Sequence, residues 1–153
     1  MNVRVQQGPF DIGEEIERLR GNDARIGAIA TFVGTVRDVN DAARVDSMVL
    51  EHYPGMTERA LAEIVDDAKA RWELIDALVV HRVGMLRPTD AIVLVAVSSA
   101  HRGDAFAACE FIMDFLKTRA PFWKKETTAD GERWLDARES DADAAARWKS
   151  GRD

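Results

Sequence analysis

Cysteine is almost missing from this sequence: Cys109 is the only one among 153 residues. A single thiol excludes an intrachain disulfide framework and any multi-cysteine zinc or iron–sulfur centre. Histidine is scarce too, and His52, His81 and His101 stand far apart without HxxxH or HxH spacing, so no resident metal is expected. No apolar run approaches the roughly 20 residues that cross a bilayer. The first ten residues, MNVRVQQGPF, lack the apolar centre of a signal peptide, so the expected setting is the cytoplasm, away from membranes. Glycine-rich phosphate loops and dinucleotide fingerprints are absent. A formal net charge of -6 argues against nucleic acid as a partner, because that role needs a broadly basic face.

What is present is ordinary globular material, 46% hydrophobic and 31% charged, in a length that fits one domain, expected over 1–149 with a short flexible tail at 150–153. Residues 2–6 read as an edge strand and 12–20 as a helix, with Asp11 and Glu14 at capping-box spacing. Residues 26–37, rich in β-branched and small side chains, predict a long strand that Gly34 bends or bulges. After a polar, mobile loop at 38–44, residues 45–53 alternate as a second strand, and a hairpin is the simplest link between the two. Leu61, Ile64, Val65, Ala68 and Trp72 line one face of a helix from Thr57 to about Trp72. Residues 77–84 and 91–99 predict a central antiparallel pair. A helix over about 104–119 follows, stopped by Pro121. Its apolar arc covers more than half the circumference, which implies burial against more than one layer. A hairpin over 122–128 and 132–137 and a short helix reaching Trp148, capped by Ser140 with Asp143, complete the chain.

Positive charge is concentrated at 101–126, where His101, Arg102, Lys117, Arg119, Lys124 and Lys125 gather in an otherwise acidic chain. That contrast points to an anionic ligand. His101-Arg102 stands where a strand runs into a helix, so backbone N–H groups reinforce both side chains in holding phosphate or carboxylate. Lys117 has two readings, a pocket cation or a solvated lysine paired at i−3 with Asp114. Strand alternation sends Lys124 and Lys125 to opposite faces, so at most one enters a given pocket. Arg37 and Arg138 are candidate anion clamps, each with a surface ion pair as the plainer alternative. The repeated dipeptide His81-Arg82 lies inside a strand and is assigned mainly to structure. Cys109, on the apolar arc between Phe106 and Met113, reads as inert packing. The four tryptophans read as core or interface anchors.

FVGTVRD at 32–38, LEHYPGMTERAL at 50–61, HRVG at 81–84, SSAHRGDAFAACEFIMDFLKTRAPFWKKE at 98–126 and the later GERWLDARESD resemble, in order, the large catalytic subunits of molybdopterin synthase. The resemblance implies an α+β fold of α/β-hammerhead type, an antiparallel sheet with packed helices and an added β-hairpin region. It also implies a central homodimer carrying a small ubiquitin-like sulfur-carrier subunit at each end, a heterotetramer. No prosthetic group is implied. Sulfur comes from the carrier's C-terminal thiocarboxylate and passes in two rounds into cyclic pyranopterin monophosphate, opening the cyclic phosphate and making the dithiolene of molybdopterin. Residue by residue, Lys117 and Lys124 match the family's catalytic lysines. Arg37, His101, Arg102 and Arg138 match its anionic pterin pocket, and Phe32 and Met113 its apolar wall. The competing reading is a non-catalytic dimeric module that binds a ubiquitin-like tail or an anionic metabolite.

One consequence follows from helix geometry. His101 and Lys117 sit on the order of 20 Å apart along a helix, too far for one small pterin to touch both. The resemblance and this length together predict composite sites, with His101 and Arg102 of one subunit meeting Lys117 and Lys124 of the other.

Overall fold

The computed structural model describes residues 2–40, 43–135 and 139–150. Nine strands, four α-helices and a final 3-10 turn are found among them. The first sheet has the order β1-β5-β7-β2, formed by β1 (Val3–Gln6), β2 (Ala28–Thr35), β5 (Leu74–Arg82) and β7 (Ala91–Ser99). As expected, β5 and β7 form an antiparallel pair at its centre, whereas β1 runs parallel to β5.

Period-two alternation explains why this pair is apolar on both sides. Ala77, Val79, Val93, Val95 and Val97 face the main core beneath α2 (Met56–Arg71) and α3 (Arg102–Arg119). Leu78, Val80, Leu94 and Ala96 face the opposite way, toward Phe10 and toward Ile12 and Leu19 of α1 (Ile12–Arg20). The helix α1 begins where predicted, with Asp11 Oδ1 accepting the Glu14 N–H at 2.9 Å.

The second sheet holds β3 (Val39–Asn40), β4 (Ala43–His52), β6 (Gly84–Leu86), β8 (Phe122–Thr128) and β9 (Gly131–Leu135). Here the structure corrects the expected hairpin between the strands at 26–37 and 45–53. Over its whole length β2 pairs with β7, while β4 pairs with β6 and β8 in the other sheet. The cause is local. Register shifts between Gly34 and Thr35, and Val36 leaves β2 to exchange backbone bonds with Asp90 and Thr89 at 3.0 and 2.9 Å. A bulge of this kind re-aims the strand. The expected loop at 38–44 contains a two-residue ladder, Val39 with Arg44 and Asn40 with Ala43, and residues 41–42 lie outside the described residues. The strand β6 has no counterpart among the expected elements, since three residues carry no periodicity.

The hairpin of β8 and β9 forms as predicted, in register from Lys124 with Leu135 to Thr128 with Gly131. Helix α3 begins two residues earlier than predicted, because His101 is extended (φ -128, ψ 140) and its carbonyl accepts the Ala105 N–H at 3.3 Å. Ala105, Ala108, Cys109, Phe111, Ile112, Met113 and Leu116 are buried, and α2, β2, β7 and α4 (Glu139–Ala146) all pack on this helix. The wide apolar arc thus serves several layers; Phe106 is the exception and faces outward. Since α4 already starts at Glu139, Ser140 falls inside its first turn and not at the cap position. The 3-10 turn after it (Arg147–Ser150) sets Trp148 edge-on to Trp72 and Phe111, with Nε1–H donating to Asp114 at 2.8 Å. Of the expected tail, Ser150 closes that turn and 151–153 lie outside the described residues.

Candidate active site

Where the C-terminal end of α3 meets the start of β8, a cavity of about 520 Å³ opens between the two sheets. Phe32, Arg37, Lys117 and Lys124 all line it, together with His81, Phe122, Leu135 and Asp141. Among the described residues three cations face one carboxylate, and the walls between them are aromatic and aliphatic. Such a site suits a flat anionic ligand.

Each side chain arrives by a traceable route. The bulge at the end of β2 carries Arg37 to the rim. Lys117 occupies the last turn of α3. Asp114, the carboxylate that would have paired with it, accepts instead from Arg147 at 3.0 Å and Trp148 at 2.8 Å. The plain reading of Lys117 as half of a surface pair is therefore not realised. Strand alternation separates the next two lysines as predicted: Lys124 faces the cavity, while Lys125 lies over the Trp134 ring at 5.3 Å and 3.5 Å from Glu132. The start of β8 is set by Thr57, fully buried, whose hydroxyl donates to the Pro121 carbonyl and accepts the Tyr53 N–H, both at 3.0 Å.

The remaining candidates lie elsewhere. Met113 packs in the main core, one turn before Lys117. His101 and Arg102 are exposed at the far end of α3, about 24 Å away at 1.5 Å per residue. Arg138 falls outside the described residues. Cys109 is buried, and burial together with Glu110 pushes its thiol up to about 11, so it stays protonated and unreactive at neutral pH.

The sequence assigns His81 mainly to structure, yet the cavity includes it. The dipeptide divides by alternation: Arg82 turns away and donates to the Gln7 carbonyl at 3.0 and 3.1 Å, while His81 turns inward. Its ring stacks on Phe122, centroids 3.9 Å apart and 17° from parallel. Nδ1 lies 2.8 Å from the Arg82 carbonyl oxygen. Because a carbonyl only accepts, Nδ1 carries the proton and Nε2 keeps a lone pair. Burial first, and then the charges of Lys117, Lys124 and His52, lower the pKa of the ring to about 4, against the opposing pull of the Arg82 carbonyl. It is neutral at physiological pH. The signal that could have found it is the strand's inward face, which is apolar except at this residue. Phe122, Leu135 and Asp141 carry no such signal, since each reaches the cavity through tertiary packing alone.

Fold and site together define an α+β protein with a cationic, aromatic-backed cavity suited to a flat anionic ligand. Comparison with known proteins narrows the class. The family model described as MoaE protein matches residues 5–119. A molybdopterin synthase catalytic subunit of Ralstonia nicotianae is 67% identical over 95% of this chain and 83% of its own length. The molybdopterin biosynthesis MoaE protein of Burkholderia ambifaria superimposes with a TM-score of 0.83 at 58% identity, covering 97% of both chains. Molybdopterin synthase of Staphylococcus aureus gives 0.80 at 33% identity, covering 86% of this chain and 95% of that one. The chain belongs to the MoaE family, the catalytic subunits of molybdopterin synthase, and is a sulfur-transferring enzyme of molybdenum cofactor biosynthesis.

Proposed function

We propose that this subunit moves sulfur from the C-terminal thiocarboxylate of a small ubiquitin-like carrier to cyclic pyranopterin monophosphate, in the cavity lined by Lys117 and Lys124. One observation carries the reading: two lysines and an arginine converge on one cavity while the chain's only thiol is buried and protonated. An enzyme that transfers sulfur without a reactive cysteine needs the sulfur delivered, and the carrier delivers it as an anion that such cations attract. The setting is the cytoplasm; among the described residues no helix is long and apolar enough to cross a membrane.

The carrier's sulfur attacks a side-chain carbon of the pterin, forming a C–S bond as a C–O bond at that carbon breaks. The oxygen leaves as water in one round and stays on phosphorus, opening the cyclic phosphate to a monoester, in the other. Lys117 and Lys124 neutralise the developing charge and supply a proton. Water then cleaves the acyl–sulfur bond, leaving sulfur on the pterin and a carboxylate on the carrier. A second carrier repeats the transfer at the neighbouring carbon. Arg37 and Arg138 hold the phosphate and Phe32 belongs to the apolar wall, which Met113 backs from the core one turn before Lys117. His101 and Arg102 come from the second subunit of a homodimer, since one helix cannot bring them to its own Lys117.

The test is reconstitution with thiocarboxylated carrier and cyclic pterin. Wild-type protein forms the dithiolene product, whereas Lys117→Ala loses product formation and still binds carrier. Full turnover by the variant sinks the role of Lys117, and binding without any sulfur transfer by the wild type marks a non-catalytic module.

A further inference from the structure

The proposed mechanism uses the cations of the cavity and gives His81 no part. Its environment is nevertheless specific. The residue is 5% exposed, clamped between the Phe122 ring and the Arg82 carbonyl, so neither ring plane nor tautomer is free to change. Among the described residues Nε2 has no hydrogen-bond partner, although the ring lines the cavity. The atom is not sealed in the fold, where among the described residues only Arg4 Nε and Arg71 Nη1 are buried without a partner, so its lone pair is open to accept a donor from whatever occupies the cavity. The cations beside it cannot be its reason for existing, because Arg37, Lys117 and Lys124 already answer the ligand's negative charge.

We propose that His81 is a substrate-binding residue whose Nε2 accepts a hydrogen bond from a ring N–H of a reduced nitrogen heterocycle, fixing its orientation while the cations hold its phosphate. This rests on the reading of the cavity as the pterin site. Neutrality of the ring is what allows it to accept, since a protonated imidazole would present a donor to a donor. Burial and the two neighbouring lysines keep it unprotonated throughout the neutral range. Stacking on Phe122 further sets the imidazole plane, so the lone pair points in one direction.

Two measurements test this. In the reconstituted reaction, His81→Phe keeps the stack and removes the acceptor; KM for cyclic pterin rises about tenfold, the worth of one hydrogen bond, while kcat changes less than about threefold. Carrier affinity is unchanged. His81→Gln, whose Oε1 can stand in for Nε2, recovers most of the loss. Separately, in wild-type protein labelled with 15N-histidine, the Nε2 resonance of His81 lies in the unprotonated range and shifts on addition of cyclic pterin. An unchanged KM in His81→Phe, or an Nε2 signal unmoved by saturating pterin, overturns the proposal. Should His81→Phe not fold, the glutamine variant and the wild-type resonance decide. If wild-type protein makes no product, the function fails on its own account, and the resonance still reports whether Nε2 meets the pterin.

Discussion

Lowering the pH from about 8 to about 4.5 is expected to remove about 2.5 kcal/mol of folding stability through His81 alone. In the native chain its pKa is lowered from 6.5 to about 4, mainly by burial. Between those values the unfolded chain binds a proton that the native chain does not, so unfolding takes up protons and stability falls as pH falls. The contribution is fully present above about 6.5 and lost progressively down to about 4, to a total of about 3 kcal/mol. Urea unfolding followed by tryptophan fluorescence, at fixed protein concentration across this range, measures it in wild type and in His81→Phe. Carboxylates titrate in the same window in both proteins and cancel in the difference. The stability of wild type relative to His81→Phe should fall by about 2.5 kcal/mol as pH drops to about 4.5. Parallel curves would refute the buried, neutral histidine.

Cys109 should resist alkylation in the native state at pH 8 and react fully once unfolded, because its thiol is buried and raised to about 11; mass spectrometry after iodoacetamide reads the outcome. Gly27→Ala should lower stability by more than about 2 kcal/mol in urea unfolding, since a Cβ there runs into the Ala100 carbonyl oxygen beside the Gly27 N–H bond to Ser99. Mixing inactive Lys117→Ala with inactive His101→Ala in equal amounts, with subunit exchange, should restore about a quarter of wild-type turnover: half the dimers are mixed, and each holds one intact composite site. No recovery in exchanged dimers would place both residues in one subunit's site.

Much of the fold can be read from residue pattern because the pattern has local causes. Asp11 caps α1, Pro121 ends α3, and alternating valines mark β5 and β7 as a strand pair with two apolar faces. The partner of β2 cannot be read, because a run such as IATFVG specifies that it pairs and not with what. The deciding residue is Gly34, whose bulge sends the chain into the other sheet. The same limit governs the cavity. Lysine alternation on β8 separates Lys124 from Lys125 correctly, but His81 is missed when its strand is treated as one environment, although its side chain and that of Arg82 meet different surroundings.

The basic stretch at 101–126 then has a physical reason for its length. Helix α3 must be buried to hold the main core together, and the charges in its body, Glu110 and Asp114, are held by Arg147, so its cations stand at its ends. Its first residues project an exposed histidine and arginine, and its last turn places Lys117 in the cavity. Shortening the helix to bring these charges together would sacrifice the turns carrying Ala108, Phe111 and Ile112, all at the centre of the core. Two-fold pairing removes the conflict, because each helix can give its beginning to one site and its end to another. On the proposed reading, the core that stabilises one subunit is also the spacer that makes its active site depend on a second.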